Sequence, residues 1–358
     1  SAGLKPVWQD ARKLLRTSPK LHGEYLSARC DDDHDPALGD ALLKQGEVHI
    51  TQGFIAADQD GSTCLLGRGG SDTSAAYLAA RVGASALEIW TDVPGIFSAD
   101  PRTVPDARLL NLLSYSEAQE LASMGAKVLH PPSIQPARNQ GIPVSIKDTQ
   151  HPSEPGTLIS ARSLDDVAQV KGVVSRDNIT EITMDNPSMW HQAGILADAL
   201  AVFKQHGYSV DLVSTSESTV TVSLDPQLSA HGDEIRMAAF LEDLGQLCRV
   251  TVHTACTSIS LVGNAIRTIL GRLSAAFDLF HDRHIYMVTQ SANDLNFTLV
   301  IDSEHAGLLV QELHQALIAT EDVRYYDHSG VDARGTLRAV MFLGQRGGAS
   351  TISQQLAR

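Results

Sequence analysis

Short apolar runs alternate with helical patterns through the first 160 or so residues, the rhythm of an α/β layer. The run Ser71-Asp-Thr-Ser-Ala-Ala-Tyr-Leu-Ala-Ala-Arg81 opens on capping residues and continues with strong helix formers, so it predicts a helix. Ala86-Leu-Glu-Ile-Trp90 reads as a strand closed by the Pro and Gly of Thr91-Asp-Val-Pro-Gly95. Ser116 to Met124 predicts another helix and Ile142-Pro-Val-Ser-Ile-Lys147 another strand. His151 to Thr157, with two prolines and a glycine, reads as a boundary loop.

Beyond about Val170 the pattern changes to two approximate copies of one unit. In the first, Glu181-Ile-Thr-Met is a strand, Ala193 to His206 an amphipathic helix, and Ser209-Val-Asp-Leu-Val-Ser and Thr219-Val-Thr-Val-Ser-Leu are strands before a helix over Asp233 to Leu244. The second copy opens with Arg249-Val-Thr-Val-His and Ser258-Ile-Ser-Leu-Val, then a helix from Ala265 to His281. It continues through Ile285-Tyr-Met-Val, Phe297-Thr-Leu-Val-Ile and a helix from Glu304 to Leu317. Strand–helix–strand–strand–helix–strand is the split βαβ arrangement, helices covering one face of an antiparallel sheet. Such tandem pairs more often sense a ligand than catalyse.

Composition bounds the function. With 358 residues, 43% of them apolar, the chain has the make-up of a soluble globular protein of two or three domains. Its 28 Lys and Arg against 42 Asp and Glu give a formal charge of −14, which argues against a general nucleic-acid binder. Small anionic substrates would need local positive sites. Cys30, Cys64, Cys248 and Cys256 are too scattered for a disulfide framework, so a reducing cytoplasm is expected. No apolar run approaches the roughly 18 residues a membrane helix needs. The N-terminus has no Met and no secretory pattern, and the C-terminus stops within a helical pattern; both ends are expected to be cuts.

Three segments carry chemistry. Gly67-Arg-Gly-Gly-Ser-Asp72 lies between an apolar strand and a helix. Its glycines let backbone N–H groups approach an anion, the helix start adds partial positive charge, and Arg68 offers a forked donor. Ser71 and Asp72 either cap the helix or contact substrate, and a Gly-rich turn that binds nothing is the plain alternative. Trp90-Thr-Asp-Val-Pro-Gly-Ile-Phe-Ser-Ala-Asp-Pro-Arg102 joins a strand C-terminus to a turn, the place where open α/β sheets bind ligands. Thr91, Asp92, Asp100 and Arg102 suit ribose, Mg²⁺ and phosphate, although Pro-Gly and Asp-Pro are also ordinary turn formers. In Gly125-Ala-Lys-Val-Leu-His-Pro131, Lys127 either reaches a phosphate or is simply solvated.

In this order and spacing the three segments resemble the GRGGSD loop, the TDVxGxxxxDPR segment and the GAKVLHP segment of aspartokinases, in the amino acid kinase family. The resemblance runs from about Gly46 to Ser160. It implies that the β-carboxylate of L-aspartate attacks the γ-phosphate of ATP, bound with Mg²⁺, a transfer governed by positioning and charge neutralisation. By position, Arg68, Ser71 and Asp72 would lie at the aspartate and phosphoryl-transfer centre, and Thr91, Asp92, Phe97, Asp100, Arg102 and Lys127 would line the ATP site. Phe97 stands where many relatives have Tyr, which keeps an adenine contact and loses a hydroxyl. The family's Lys-x-Gly-Gly-Thr-Ser phosphate segment is not found in residues 1–53, so the chain is expected to be an inactive portion of a kinase.

The two repeat units resemble the paired ACT regulatory domains of lysine-sensitive aspartokinases, on Ser188-Met-Trp-His-Gln-Ala-Gly-Ile-Leu196 and Ser209-Val-Asp-Leu-Val-Ser-Thr-Ser-Glu217. Backbone N–H groups near Gly194 would take the carboxylate of L-lysine, and Asp211 and Glu217 its two ammonium groups, unless they are merely exposed strand-end acids. Met189, Ser209, Val210, Thr215 and Ser216 would complete the pocket. Ser291-Ala-Asn-Asp-Leu-Asn-Phe297 resembles the segment by which such domains pair, implying a homodimer. The expected fold is α/β: the C-terminal portion of an amino acid kinase αβα sandwich over 1–165, then ferredoxin-like βαββαβ ACT domains at 166–247 and 248–318.

Two stretches stand apart. Cys30-Asp-Asp-Asp-His-Asp35 is a poor metal shell, because consecutive side chains point different ways; a solvated acidic loop is expected. That stretch, with Trp8-Gln-Asp-Ala-Arg-Lys-Leu-Leu15, is similar to a region of some kinases fused to diaminopimelate decarboxylase. The tail 319–358 resembles the peptidoglycan glycosyltransferase domain of class A penicillin-binding proteins, on Ala319 to Asp332 and Gly348 to Arg358. By position Glu321 would be its catalytic base, and a chimeric join near Leu317 to Thr320 is expected.

Overall fold

The computed structural model describes residues 5–17, 26–161, 168–186, 194–224, 234–269, 279 and 283–321. They fall into two compact units, Ser1–Ser98 with Ala107–Asp166, and Ala99–Asp106 with Val167–Val323.

In the first unit β1 (Val7–Gln9) pairs in parallel with β2 (His49–Thr51), around α1 (Ala11–Leu14) and α2 (Pro36–Gln45). A hairpin of β3 (Ile55–Ala57) and β4 (Thr63–Leu65) leads into α3 (Gly70–Val82). β5 (Leu87–Thr91), β6 (Leu112–Ser114), α4 (Tyr115–Met124), α5 (Gln135–Asn139), β7 (Val144–Asp148) and β8 (Thr157–Ser160) follow. Their sheet has the order β5-β7-β8-β6, with β5 and β7 parallel. Period-2 patterning is plain in β5, where Leu87 and Ile89 are buried and Glu88 and Trp90 exposed. A core of Leu14, Leu15, Ala28, Cys30, Ala56, Cys64, Leu66 and Tyr77 lies behind the β4–α3 turn. The expected acidic loop is partly engaged: Asp35 caps α2, and Arg81 pairs with both Asp35 and Asp31.

The second unit corrects the tandem reading. Its strands β9 (Gln169–Asp185), β10 (Val210–Thr215), β11 (Thr219–Leu224), β12 (Arg249–Asn264), β13 (Ile285–Gln290) and β14 (Asn296–Asp302) form one sheet in the order β10-β11-β9-β12-β14-β13. Arg249–His253, expected to open the second copy, pairs with Glu181–Asp185 and closes the first; Ser258–Asn264 pairs with Gln169–Arg176 in the other half. Each half thus completes its four strands with a piece of a long strand it shares. The shared strands bend where Asn178 and Ala255 have positive φ, beside register shifts. Helices α6 (Ile195–Gln205) and α7 (Glu234–Gly245) cover Ile182, Met184, Val220, Val222 and Leu224. The short α8 (Ile266–Ile269) is the described portion of the helix expected to reach His281, and α9 (Ala306–Glu321) packs on β9 and β12. No described helix is long and apolar enough to cross a membrane.

Candidate functional site

The Gly-rich turn is built by backbone freedom and close packing. Gly67 and Gly69 have φ of +76° and +62°, a region that costs an L side chain roughly 1–2 kcal/mol. Gly69 is the N-cap of α3 with no side-chain hydrogen bond, so no side chain caps the first N–H groups of α3. A Cβ at Gly69 would lie 2.5 Å from the His130 Cβ, and one at Gly70 would lie 2.3 Å from the Phe54 ring. From within the helix, Thr73 Oγ1 donates to the Gly69 carbonyl at 2.9 Å, and Ser74 Oγ donates to the Ser71 carbonyl at 2.8 Å while accepting from the Phe54 N–H.

Arg68 and Ser71 are exposed and Asp72 half-buried at this turn. Burial pushes the Asp72 carboxyl above its ordinary range, opposed by His130. His130 is held below the usual imidazole value by burial first and by the Arg68 charge second, with Asp72 opposing, and its buried Nδ1 has no hydrogen-bond partner among the described residues. Uncapped N–H groups, a guanidinium and a carboxyl therefore share one turn, with the His130 imidazole packed against it. Sequence reasoning stops at Lys127 and misses His130 in the same segment. Lys127 is exposed, just after Gly125 ends α4.

At the neighbouring strand ends, β5 and β7 run parallel with Thr91 beside Asp148. The Thr149 N–H and Oγ1 both donate to the Thr91 carbonyl, at 2.9 and 3.0 Å, and Thr91 Oγ1 donates to Asp92 at 3.1 Å. Asp148, only 5% exposed, accepts from His151 Nδ1 at 2.7 Å and from the Gln150 N–H at 2.8 Å, bonds that hold it below the usual carboxylate range. Phe97 is partly buried and bridges to Leu109. Asp100 and Arg102 fall in the second unit and are described by themselves: the guanidinium grips the carboxylate through Nε at 3.0 Å and a terminal nitrogen at 2.7 Å.

Of the expected effector residues, Met189 lies outside the described residues. Gly194, with φ of +97°, is the N-cap of α6 without a side-chain cap. Ser209, Thr215, Ser216 and Glu217 are exposed and Val210 half-buried. Ser216 Oγ lies 2.5 Å from Thr219 Oγ1 across the β10–β11 turn. Asp211 is not an exposed strand-end acid. Its carboxylate lies 2.5 Å from Arg176 of β9, the two side chains only 19% and 16% exposed.

Residues 1–148 match the amino acid kinase family, and residues 304–358 match the transglycosylase family. The chain is 36% identical over 318 residues to lysine-sensitive aspartokinase 3 of Escherichia coli strain K12, covering 87% of this chain and 69% of that protein. It superimposes on the crystal structure of E. coli aspartokinase III in complex with aspartate and ADP, its R-state, with a TM-score of 0.75 at 34% identity, covering 88% of this chain and 70% of that one. With the same protein in complex with lysine and aspartate, its T-state, the TM-score is 0.71 at 34% identity, covering 87% and 69%.

Proposed function

Because this chain belongs to the aspartokinase family, we propose that its first unit is the nucleotide side of an aspartate kinase site, and that its second unit senses L-lysine. The carrying observation is the uncapped start of α3, where Gly69 leaves a cradle that a Cβ would fill and where Arg68, Asp72 and His130 converge. Such a turn fits a nucleotide phosphate. The hard oxygens of Asp92 fit its Mg²⁺.

In this reading, Arg68 and the α3 N–H groups neutralise charge on the phosphoryl group, while Ser71 and Asp72 orient the aspartate substrate. Thr91, Asp92, Phe97 and Lys127 of the first unit hold ATP; with Mg²⁺ it supplies the phosphoryl group for the first step of lysine, threonine and methionine biosynthesis. The polypeptide of 358 residues contains no Lys-x-Gly-Gly-Thr-Ser segment, so ADP binding without turnover is expected of it. Equilibrium titration with ADP and an ATP-dependent aspartyl hydroxamate assay test this. Hydroxamate formation would overturn the inactivity, and absence of ADP binding would overturn the nucleotide site.

For the second unit, we propose that Gly194 receives the lysine carboxylate and that Asp211 and Glu217 receive its ammonium groups, with Met189, Ser209, Val210, Thr215 and Ser216 around them. The E. coli relative has been crystallised with lysine, which supports the choice of effector. The proposed organisation is an incomplete kinase domain over residues 1–165, two ACT-type halves interleaved over 166–318 through the shared strands β9 and β12, and a tail over 319–358, in a cytoplasmic homodimer joined through the ACT halves. A second reading, an amino-acid-binding and dimerisation module without catalysis, is favoured by the second unit's own core around Phe203 and Phe240. The glycosyltransferase reading rests on residues 304–358, and helix α9 at their start is integral to the second unit, with Leu309, Leu313 and Leu317 buried.

A further inference from the structure

Glu181 is an ionisable side chain at only 1% exposure in the middle of the six-stranded sheet. In register it lies between Ser223 on β11 and His253 on β12. Its chain neighbour Ile182, with Val222 and Val252, belongs to the core under α6 and α7, so strand alternation puts Glu181 on the opposite face. That face is enclosed. The sheet bends at Asn178 and Ala255 until the edge strands β10 and β13 meet, and Leu212, Ile179, Cys256, Tyr286, Met287 and Val300 cluster between them.

Within this enclosure Glu181 is under-satisfied. One oxygen accepts from Thr183 Oγ1 at 2.6 Å; the other is buried with no hydrogen-bond partner among the described residues. An ionised carboxylate so placed is costly, whereas a neutral one needs less solvation. The surrounding groups do little to support a negative charge. From β12 come His253 and Cys256, the thiol pushed up to about 11 by burial and then by Glu181 and Asp302. From β13 comes Tyr286, pushed up to about 12 chiefly by donating to Asp302 of β14 at 2.7 Å, with the His253 and His284 rings 4.4 and 4.6 Å from its own. β11 brings Ser223, whose Oγ accepts from the Leu212 N–H, and Thr221, whose hydroxyl lies 3.0 Å from that of Thr183; Asp211 of β10 is paired with Arg176. Burial raises the Glu181 carboxyl, with Thr183 and His253 opposing.

We propose that Glu181 is a proton-binding site that ties closure of the sheet to pH, neutral when the β10 and β13 edges close over it and ionised as they separate. The sign follows from linkage. A carboxyl raised in the folded state above its ordinary 4.5 favours the closed form fully below that value, and the advantage is lost as pH rises through the folded value. The test is amide hydrogen exchange of the full 358-residue chain at pH 5 and pH 8, normalised to amides of α3, for the wild type and Glu181→Gln. The wild type should lose protection in β10 and β13 at pH 8, while Glu181→Gln stays protected and gains roughly 2–5 °C in thermal midpoint at pH 8. Equal pH dependence in the two proteins, or none in the wild type, would overturn the proposal. Should Glu181→Gln fail to fold, infrared titration of Asp72→Asn, which removes the other carboxyl raised by burial among the described residues, decides: a protonated-carboxyl carbonyl band persisting above the ordinary carboxylate range supports it, and its absence sinks it.

Discussion

Replacing Gly69 by alanine puts two separable penalties on the Gly-rich turn. The residue sits at φ +62°, which costs an alanine about 1–2 kcal/mol. Its new Cβ would stand 2.5 Å from the His130 Cβ, about 1 Å inside ordinary carbon contact of roughly 3.5–4.0 Å. Because both atoms are fixed to backbone, no rotamer relieves the overlap, and a shift of that size in a packed site costs a further ~1–3 kcal/mol. The sum of about 2–5 kcal/mol corresponds to roughly 5–15 °C in the midpoint of a unit this size. Gly61 supplies the control: its φ is +84°, yet a Cβ there meets nothing within 4 Å, so Gly61→Ala carries the conformational penalty alone. Thermal unfolding should separate the two variants by several degrees. ADP affinity should fall about 100-fold for Gly69→Ala, the effect of an ångström-scale misplacement, and hold for Gly61→Ala. Equal midpoints and equal ADP affinities in the two variants would refute the claim that His130 packs the turn into its binding geometry.

Two other perturbations probe the framework. The bonds from His151 and Gln150 hold Asp148 below its ordinary 3.8, so its contribution to stability is present above that value and lost as pH falls through the folded one. Asp148→Asn should therefore flatten the urea-unfolding stability curve on its acid side, and an unchanged acid limb would count against the pairing. Phe240 is fully buried, with the Phe203 and Tyr208 rings 4.8 and 4.7 Å away, and Phe240→Ala should cost about 3–5 kcal/mol. Calorimetry should place that loss in the transition of the second unit and leave the first unmoved.

What is legible in the sequence is local. The α3 helix follows from Ser71 to Arg81 alone, and β5 from its alternation, because capping, propensity and period act over neighbouring residues. Strand partners are less legible. Nothing in Arg249–His253 says that it closes one half rather than opening the next, since the pairing with Glu181–Asp185 is decided across more than 60 residues. A separation of 35 residues hides Arg176 behind Asp211, and one of 61 hides His130 behind Gly69. Lone residues acquire such roles only when long-range packing delivers a partner. Glu181 reads simply as one position of a strand, because a period-2 pattern gives no sign that a sheet bends back over its polar face.

A second unit that reads lysine through acidic partners for a second ammonium group should distinguish lysine from threonine. Calorimetric titration of the 358-residue chain with L-lysine and with L-threonine, repeated on Asp211→Asn, tests it most directly. Saturable heat is expected with lysine, none with threonine, and at least a roughly tenfold loss of lysine affinity in Asp211→Asn, the scale of one charge-assisted hydrogen bond. Saturable binding of threonine, no heat with either amino acid, or undiminished lysine affinity in the variant would contradict it.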